Sequence, residues 1–155
     1  MKSNGNAVSG TAFGSSNTDT IAPGDYDGDG KGDLAVWRYS NGTFYYLASG
    51  TGTFQSRLFG LIGDEVVARD YDGDNKTDFA VVRRTAGTSG AMNWYIYNSQ
   101  SGAVTSTQFG ISSDAAVPGD YDGDGKFDIA VQRSAGTGGA ATVYIAGSTA
   151  GFYGV

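Results

Sequence analysis

The chain has no cysteine and no histidine, only two prolines, and no apolar run near the roughly 18 residues that a membrane helix requires. Each absence closes a class of function. Without cysteine there is no disulfide framework and no thiolate metal site. Without histidine there is no Ser-His or Cys-His nucleophile system, no ordinary zinc centre and no general base of the commonest kind. Enzymatic readings therefore start from a weak position. Basic charge is scarce as well: the formal net charge is −6, which argues against nucleic acid as a partner, because phosphate binding relies on clustered Lys and Arg. The segment from Met1 to Gly10 is polar and holds no apolar leader core. Export is not encoded in it, so an exported form is expected to be matured or to derive from a longer chain.

What is present points to strands. A chain of 155 residues with 39% hydrophobic content suffices for a single domain with a real core, here expected over residues 1–155. Its 26 glycines, 10 tyrosines and 8 phenylalanines, with abundant Thr and Val, favour short strands joined by tight turns.

The strongest signal is internal repetition. GDYDGDGKGDLAVWR runs from Gly24 to Arg38, RDYDGDNKTDFAVVR from Arg69 to Arg83, and GDYDGDGKFDIAVQR from Gly119 to Arg133. The leading aspartates Asp25, Asp70 and Asp120 lie 45 and 50 residues apart, a spacing typical of propeller blades. Other features recur in phase: Phe13-Gly14, Phe59-Gly60 and Phe109-Gly110; Asp19, Asp64 and Asp114; and the segments Phe44-Tyr45-Tyr46, Trp94-Tyr95-Ile96 and Val143-Tyr144-Ile145, each ending near a serine. In each repeat the first strand is expected at residues 21–23, 66–68 or 115–117. The second follows the Asp loop at 34–36, 79–81 or 129–131, and its continuous apolar triplet predicts burial on both faces. The aromatic segment forms the third strand, and the approach to the next Phe-Gly forms the fourth. The expected fold is all-β, with three four-stranded antiparallel propeller blades over about residues 15–60, 61–110 and 111–155.

The Asp loop carries the chemistry. Asp25, Asp27, Asp29 and Asp33 stand at loop positions 1, 3, 5 and 9; the second copy has Asp70, Asp72, Asp74 and Asp78, and the third Asp120, Asp122, Asp124 and Asp128. Alternate carboxylates on a tightly turning loop converge on one point. Gly28, Gly73 and Gly123, with Gly30, Asn75 and Gly125, suit backbone positions of positive φ. The backbone carbonyl at position 7, from Lys31, Lys76 and Lys126, is expected to add an oxygen. Such an oxygen-only, carboxylate-rich cage suits Ca²⁺, three per chain, better than Mg²⁺, which prefers a water-rich octahedral shell. An EF-hand would need a bidentate Glu at position 12, where this chain has Val36, Val81 and Val131. The competing reading is a solvated acidic turn.

With its Phe-Gly pairs, its GDYDGDGK-type loops and the apolar strand after each, the chain resembles the FG-GAP/VCBS repeat family over roughly residues 11–150. That family comprises the calcium-loop β-propellers of integrin α-subunits and many secreted bacterial proteins. The resemblance implies one blade per repeat with Ca²⁺ between its first two strands. After the second strand the integrin-like repeats carry Gly-Ala-Pro, whereas this chain has Trp37-Arg38, Val82-Arg83 and Gln132-Arg133, closer to the bacterial branch.

Several further residues stand out. Arg38, Arg83 and Arg133 recur at one offset; they form either a guanidinium ring for an anion or, as favoured here, pairs with Asp19, Asp64 and Asp114 that hold blades together. Asp64-Glu65, the acidic pair outside the loops, reads as a surface turn. Tyr26, Tyr71 and Tyr121 are expected to pack on the neighbouring blade. Trp37 and Trp94 are not repeated, so they are candidates for stacking on a ligand such as a sugar ring, with core packing the competing explanation. Three blades fall short of the four to eight that close a propeller. Head-to-tail homo-oligomerisation is therefore expected, a dimer giving six blades, with residues 8–14 completing a blade of a neighbour. The functional expectation is a non-enzymatic extracellular or cell-surface adhesion or interaction module. It binds a protein or a glycan, but neither nucleic acid nor membrane. A lectin is the alternative; a hydrolase, or an excised or engineered half-propeller without independent function, is the remoter one.

Overall fold

The structure, a computed structural model, describes residues 10–149 and 151–154. Among the described residues there are twelve strands and no helix. The first sheet holds β1 (Asp19–Ile21), β2 (Leu34–Arg38), β3 (Thr43–Leu47) and β4 (Phe54–Leu58). The second holds β5 (Glu65–Val66), β6 (Phe79–Arg84), β7 (Ala91–Tyr97) and β8 (Val104–Ile111), and the third β9 (Ala115–Ala116), β10 (Ile129–Arg133), β11 (Thr142–Gly147) and β12 (Gly151–Gly154). Each sheet is an antiparallel meander in chain order, the form of a propeller-like blade.

The first strands are shorter or earlier than expected. β1 ends at Ile21 and β5 at Val66, although the ladder runs one bond further, from Ala22 N to the Ala35 carbonyl and from Val67 N to the Ala80 carbonyl. In the first repeat Pro23 has no N–H to continue the ladder. The chain then swings into the Asp loop, whose base is closed by single bridges between Gly24 and Asp33, Arg69 and Asp78, and Gly119 and Asp128.

The cores lie between sheets. Tyr26, Trp37 and Phe44 of the first repeat bury against Phe79 and Val81 of the second. On the opposite side of the second sheet, Val82, Met92 and Trp94 bury with Val131, and Ile129 and Tyr144 pack against them. Val81 and Val82 thus serve two different cores from adjacent positions on one strand, as a strand buried on both faces must. Leu34, which opens β2 on the outer side of the first sheet, is 46% exposed, whereas its counterpart Phe79 is 6% exposed.

The expectation that residues 8–14 complete a neighbour's blade is corrected. Val8 and Ser9 lie outside the described residues, and residues 10–14 form no strand. β12 pairs with β11, so the third sheet has a fourth strand of its own. Each blade is complete without exchange, and Phe13 instead packs its ring 6.3 Å from that of Phe54.

Candidate metal centres

Each Asp loop is wound by its own side chains. The position-1 carboxylate accepts from the backbone N–H at position 4, from Gly28 to Asp25, Gly73 to Asp70 and Gly123 to Asp120, at 2.6–2.7 Å. Its other oxygen accepts from position 6, where Gly30, Asn75 and Gly125 all have positive φ. Asn75, at φ 67°, is the non-glycine residue in that set, and its short polar side chain tolerates the left-handed region better than most.

Position 9 anchors the loop to the sheet. Asp33, Asp78 and Asp128 are at most 2% exposed. One oxygen of each accepts from the N–H of Tyr26, Tyr71 or Tyr121, and the other from the N–H of Ser49, Ser99 or Ser148, at 2.6–2.9 Å. These serines lie in the turn between the third and fourth strands, and their hydroxyls donate to the position-5 carboxylates of Asp29, Asp74 and Asp124. The backbone of Gly50 and Gln100 adds bonds to Asp27 and Asp72. Sequence reasoning noted the recurring serine without giving it a role. Its constant offset from the aromatic strand was the available signal.

The carboxylates converge. Oxygens of Asp25, Asp27 and Asp29, of Asp70, Asp72 and Asp78, and of Asp120, Asp122 and Asp128 lie within 4.8 Å of one another in each loop. Oxygens bound to one Ca²⁺ at about 2.3–2.6 Å span no more than roughly twice that distance, so the donor set fits such an ion. Electrostatics points the same way. Burial, with the Asp72 charge adding, pushes the Asp78 carboxyl up to about 6 against the pull of the Ser99 and Tyr71 N–H groups. Asp122 is raised by desolvation and by its aspartate neighbours. Of the lysines at position 7, Lys31 pairs its Nζ with Asp29 of its own cluster at 3.4 Å, whereas the Lys76 and Lys126 side chains cover Gly28 and Gly73 of the preceding loop. Their backbone N–H groups donate to the position-5 carboxylates at 2.8 Å.

The recurrent arginines form pairs. Arg38, Arg83 and Arg133 each donate from Nε and an Nη to both oxygens of Asp19, Asp64 and Asp114, at 2.7–2.9 Å. Each guanidinium also lies 4.7–4.9 Å from the ring centre of Tyr45, Tyr95 or Tyr144. The pairs do not bridge blades: Asp19 faces Arg38 directly across β1 and β2 of one sheet. Asp64 closes an exposed turn, its N–H donating to the Leu61 carbonyl and its carboxylate accepting from the Leu61 N–H, while the residue itself is only 5% exposed; Glu65 is more open and pairs with Arg84.

Trp37 and Trp94 are corrected as ligand-stacking residues. They are 1% and 0% exposed, and their indole N–H groups donate to the carbonyls of Phe59 and Phe109. Neither ring is presented to solvent. A cleft of about 310 Å³ does open between the second and third sheets, beside Tyr71, Ile96, Thr107, Lys126 and Ile129. In the equivalent place between the first two sheets, Arg57 lies over Tyr97 and Phe79.

Fold and site together define an Asp-loop β-repeat protein built of propeller-like blades. The family model for the FG-GAP-like repeat matches residues 25–81 and 70–131, and the chain belongs to that family. Comparison with curated proteins and with solved structures gave no match. FG-GAP repeats are typically non-enzymatic, extracellular interaction modules, and no helix among the described residues is long and apolar enough to cross a membrane.

Proposed function

We propose that this chain is a calcium-stabilised propeller module for interaction or adhesion outside the cell, with one Ca²⁺ in each Asp loop and the metal serving structure. The observation behind this reading is the threefold recurrence of converging carboxylates, each loop tied by a buried aspartate to the turn between the third and fourth strands. Calcium suits the site because every offered donor is oxygen and the loop backbone curls around the cluster. Twelve of the 16 acidic residues sit in these loops, and three Ca²⁺ would bring the formal charge of −6 to zero. Binding to the native state then stabilises the fold by mass action. It also stiffens the loops at one end of each blade, where a protein or glycan partner would be met.

The three blades are read as half of a six-bladed ring closed by a second copy. The test of the calcium reading is titration calorimetry on chelator-treated protein, with thermal unfolding alongside. Three calcium ions bound per chain and a higher unfolding midpoint are expected; a midpoint indifferent to EDTA would sink the reading.

A further inference from the structure

We propose that the outer faces of the first and third sheets are the two halves of one blade–blade seam, and that a second copy of this chain docks across them head to tail. This rests on the half-ring reading above and supplies its contacts. The seam is already built twice within the chain. In the first, Tyr26 stacks on Phe79, ring centres 5.0 Å apart; in the second, Tyr71 packs with the core that Ile129 joins. Tyr26 and Tyr71 are 8% and 9% exposed, but Tyr121, at the same loop position, is 48% exposed. Its missing neighbour would be the residue opening β2, which is Leu34, itself 46% exposed and beside the 79% exposed Ile21.

Three further features of the built seams have their halves on these faces. The N–H at loop position 8 donates to the position-1 carbonyl of the preceding loop, Thr77 to Asp25 at 2.6 Å and Phe127 to Asp70 at 2.7 Å. Continued once more, the N–H of Gly32 meets the Asp120 carbonyl of the other copy. The position-7 lysine covers the position-4 glycine of the preceding loop, Lys76 on Gly28 and Lys126 on Gly73. Lys31, whose side chain is 74% exposed, would in turn cover Gly123 and bring a cation to the acidic third loop, so that the partner completes that loop. Finally, Trp37 donates to the Phe59 carbonyl. Gln132 takes the place of Trp37 in the ladder, opposite Val143 as Trp37 is opposite Phe44. A polar side chain at the position where the other two sheets bury Trp37 and Val82 makes sense if its amide reaches the Phe13 carbonyl of the partner. Each blade already has four strands, so docking needs no strand exchange, and two such seams related by a twofold along the ring axis close the assembly.

The test is sedimentation velocity in millimolar calcium on the chain and on two variants, Tyr121→Glu and Leu34→Glu, with circular dichroism confirming that each is folded. Both sites are half exposed in the single chain, so the charge is tolerated there and refused in a closed seam. The expected result is a species of twice 16.0 kDa for the unaltered chain and monomers for each variant alone. Mixing the two variants should restore a heterodimer, because Tyr121 of one and Leu34 of the other rebuild one intact seam. A monomeric unaltered chain that still binds calcium overturns the seam while sparing the metal loops. A dimer broken by only one of the variants overturns the head-to-tail arrangement, since a face that pairs with itself ignores the other substitution.

Discussion

Trp37 and Trp94 reach equivalent carbonyls from different strands. Trp37 lies on β2 and donates to Phe59 at 3.2 Å; Trp94 lies on β7, the third strand of its sheet, and donates to Phe109 at 3.0 Å. The ladder explains the exchange. Trp37 pairs across with Phe44, and at the same rung of the next sheet Val82 pairs with Trp94. The indole has changed strand, and its partner has changed with it, so the seam is filled and the Phe-Gly carbonyl met in both. Packing acts here on the cross-strand pair.

Because both indoles are buried, their loss should be felt in stability. Trp94→Ala is expected to cost about 3–5 kcal/mol through lost burial and the cavity left behind. Trp94→Phe keeps most of the volume and loses the donor, with a cost of about 1 kcal/mol. Urea unfolding of both variants in calcium checks the order; equal midpoints for the two would refute the burial contribution, and a Trp94→Phe midpoint equal to that of the unaltered chain would refute the hydrogen-bond contribution.

Asp78 gives the metal-free protein a pH dependence of definite sign. Burial raises its folded-state value to about 6, above the roughly 3.9 of an unfolded aspartate. Its contribution is therefore fully favourable below about pH 4 and is lost as pH rises through 6. In EDTA, the denaturation midpoint is expected to fall between about pH 4 and pH 6 and to level off above that. Calcium supplies the missing positive charge, so the stabilisation by calcium should grow over the same interval. A calcium effect that shrinks with rising pH would contradict the assignment of Asp78 to a cation site.

The Arg–Asp pairs act in the opposite sense and at lower pH. The Arg38 guanidinium holds the Asp19 carboxyl well below the usual carboxylate range, and Arg133 does the same for Asp114. Depressed folded-state values mean that these pairs stabilise the fold above about pH 4, with the contribution lost as pH falls below it. Arg83→Ala would leave Asp64, 5% exposed, without its two-pronged partner. The expected cost is about 2–3 kcal/mol, below the range for fully buried pairs because the guanidinium is partly open to water. Unfolding of the variant in EDTA separates this from any effect on metal binding.

The sequence displayed those features that depend on residues close along the chain. The Asp spacing, the glycines and Asn75 at positive φ, and the order of strands within each repeat all follow from local chemistry repeated in phase. The Arg–Asp pairing was legible because both partners recur at a constant offset, yet nothing local told whether the pair lay within a blade or between blades. The serine clamp at Ser49, Ser99 and Ser148 was less readable, because it joins a turn to a loop about 20 residues away. The burial of Trp37 and Trp94 was hidden for another reason. Their non-equivalent positions suggested variable, ligand-facing residues, and only the cross-strand register shows that each pair fills the same space.

Arg57 offers a test of how the seams differ. Its guanidinium carbon lies 3.5 Å from the ring centre of Tyr97 and 5.4 Å from that of Phe79, bridging from β4 of the first sheet to the second. On the next seam the residues at the same rungs are smaller. Thr107 stands opposite Trp94 as Arg57 stands opposite Phe44, Ile129 replaces Phe79, and Ala146 replaces Tyr97. The cleft of about 310 Å³ at the second seam is thus what remains when a stacked cation and two rings are reduced in size. Arg57→Ala should open a similar cleft at the first seam and destabilise the protein by about 1–2 kcal/mol, through lost stacking and lost cover over the rings. Arg57→Lys should recover only part of this, since an ammonium cannot lie flat on Tyr97. Thermal unfolding of the two variants in calcium decides the matter: if Lys restores full stability, the planar stacking contributes nothing and the charge alone is responsible.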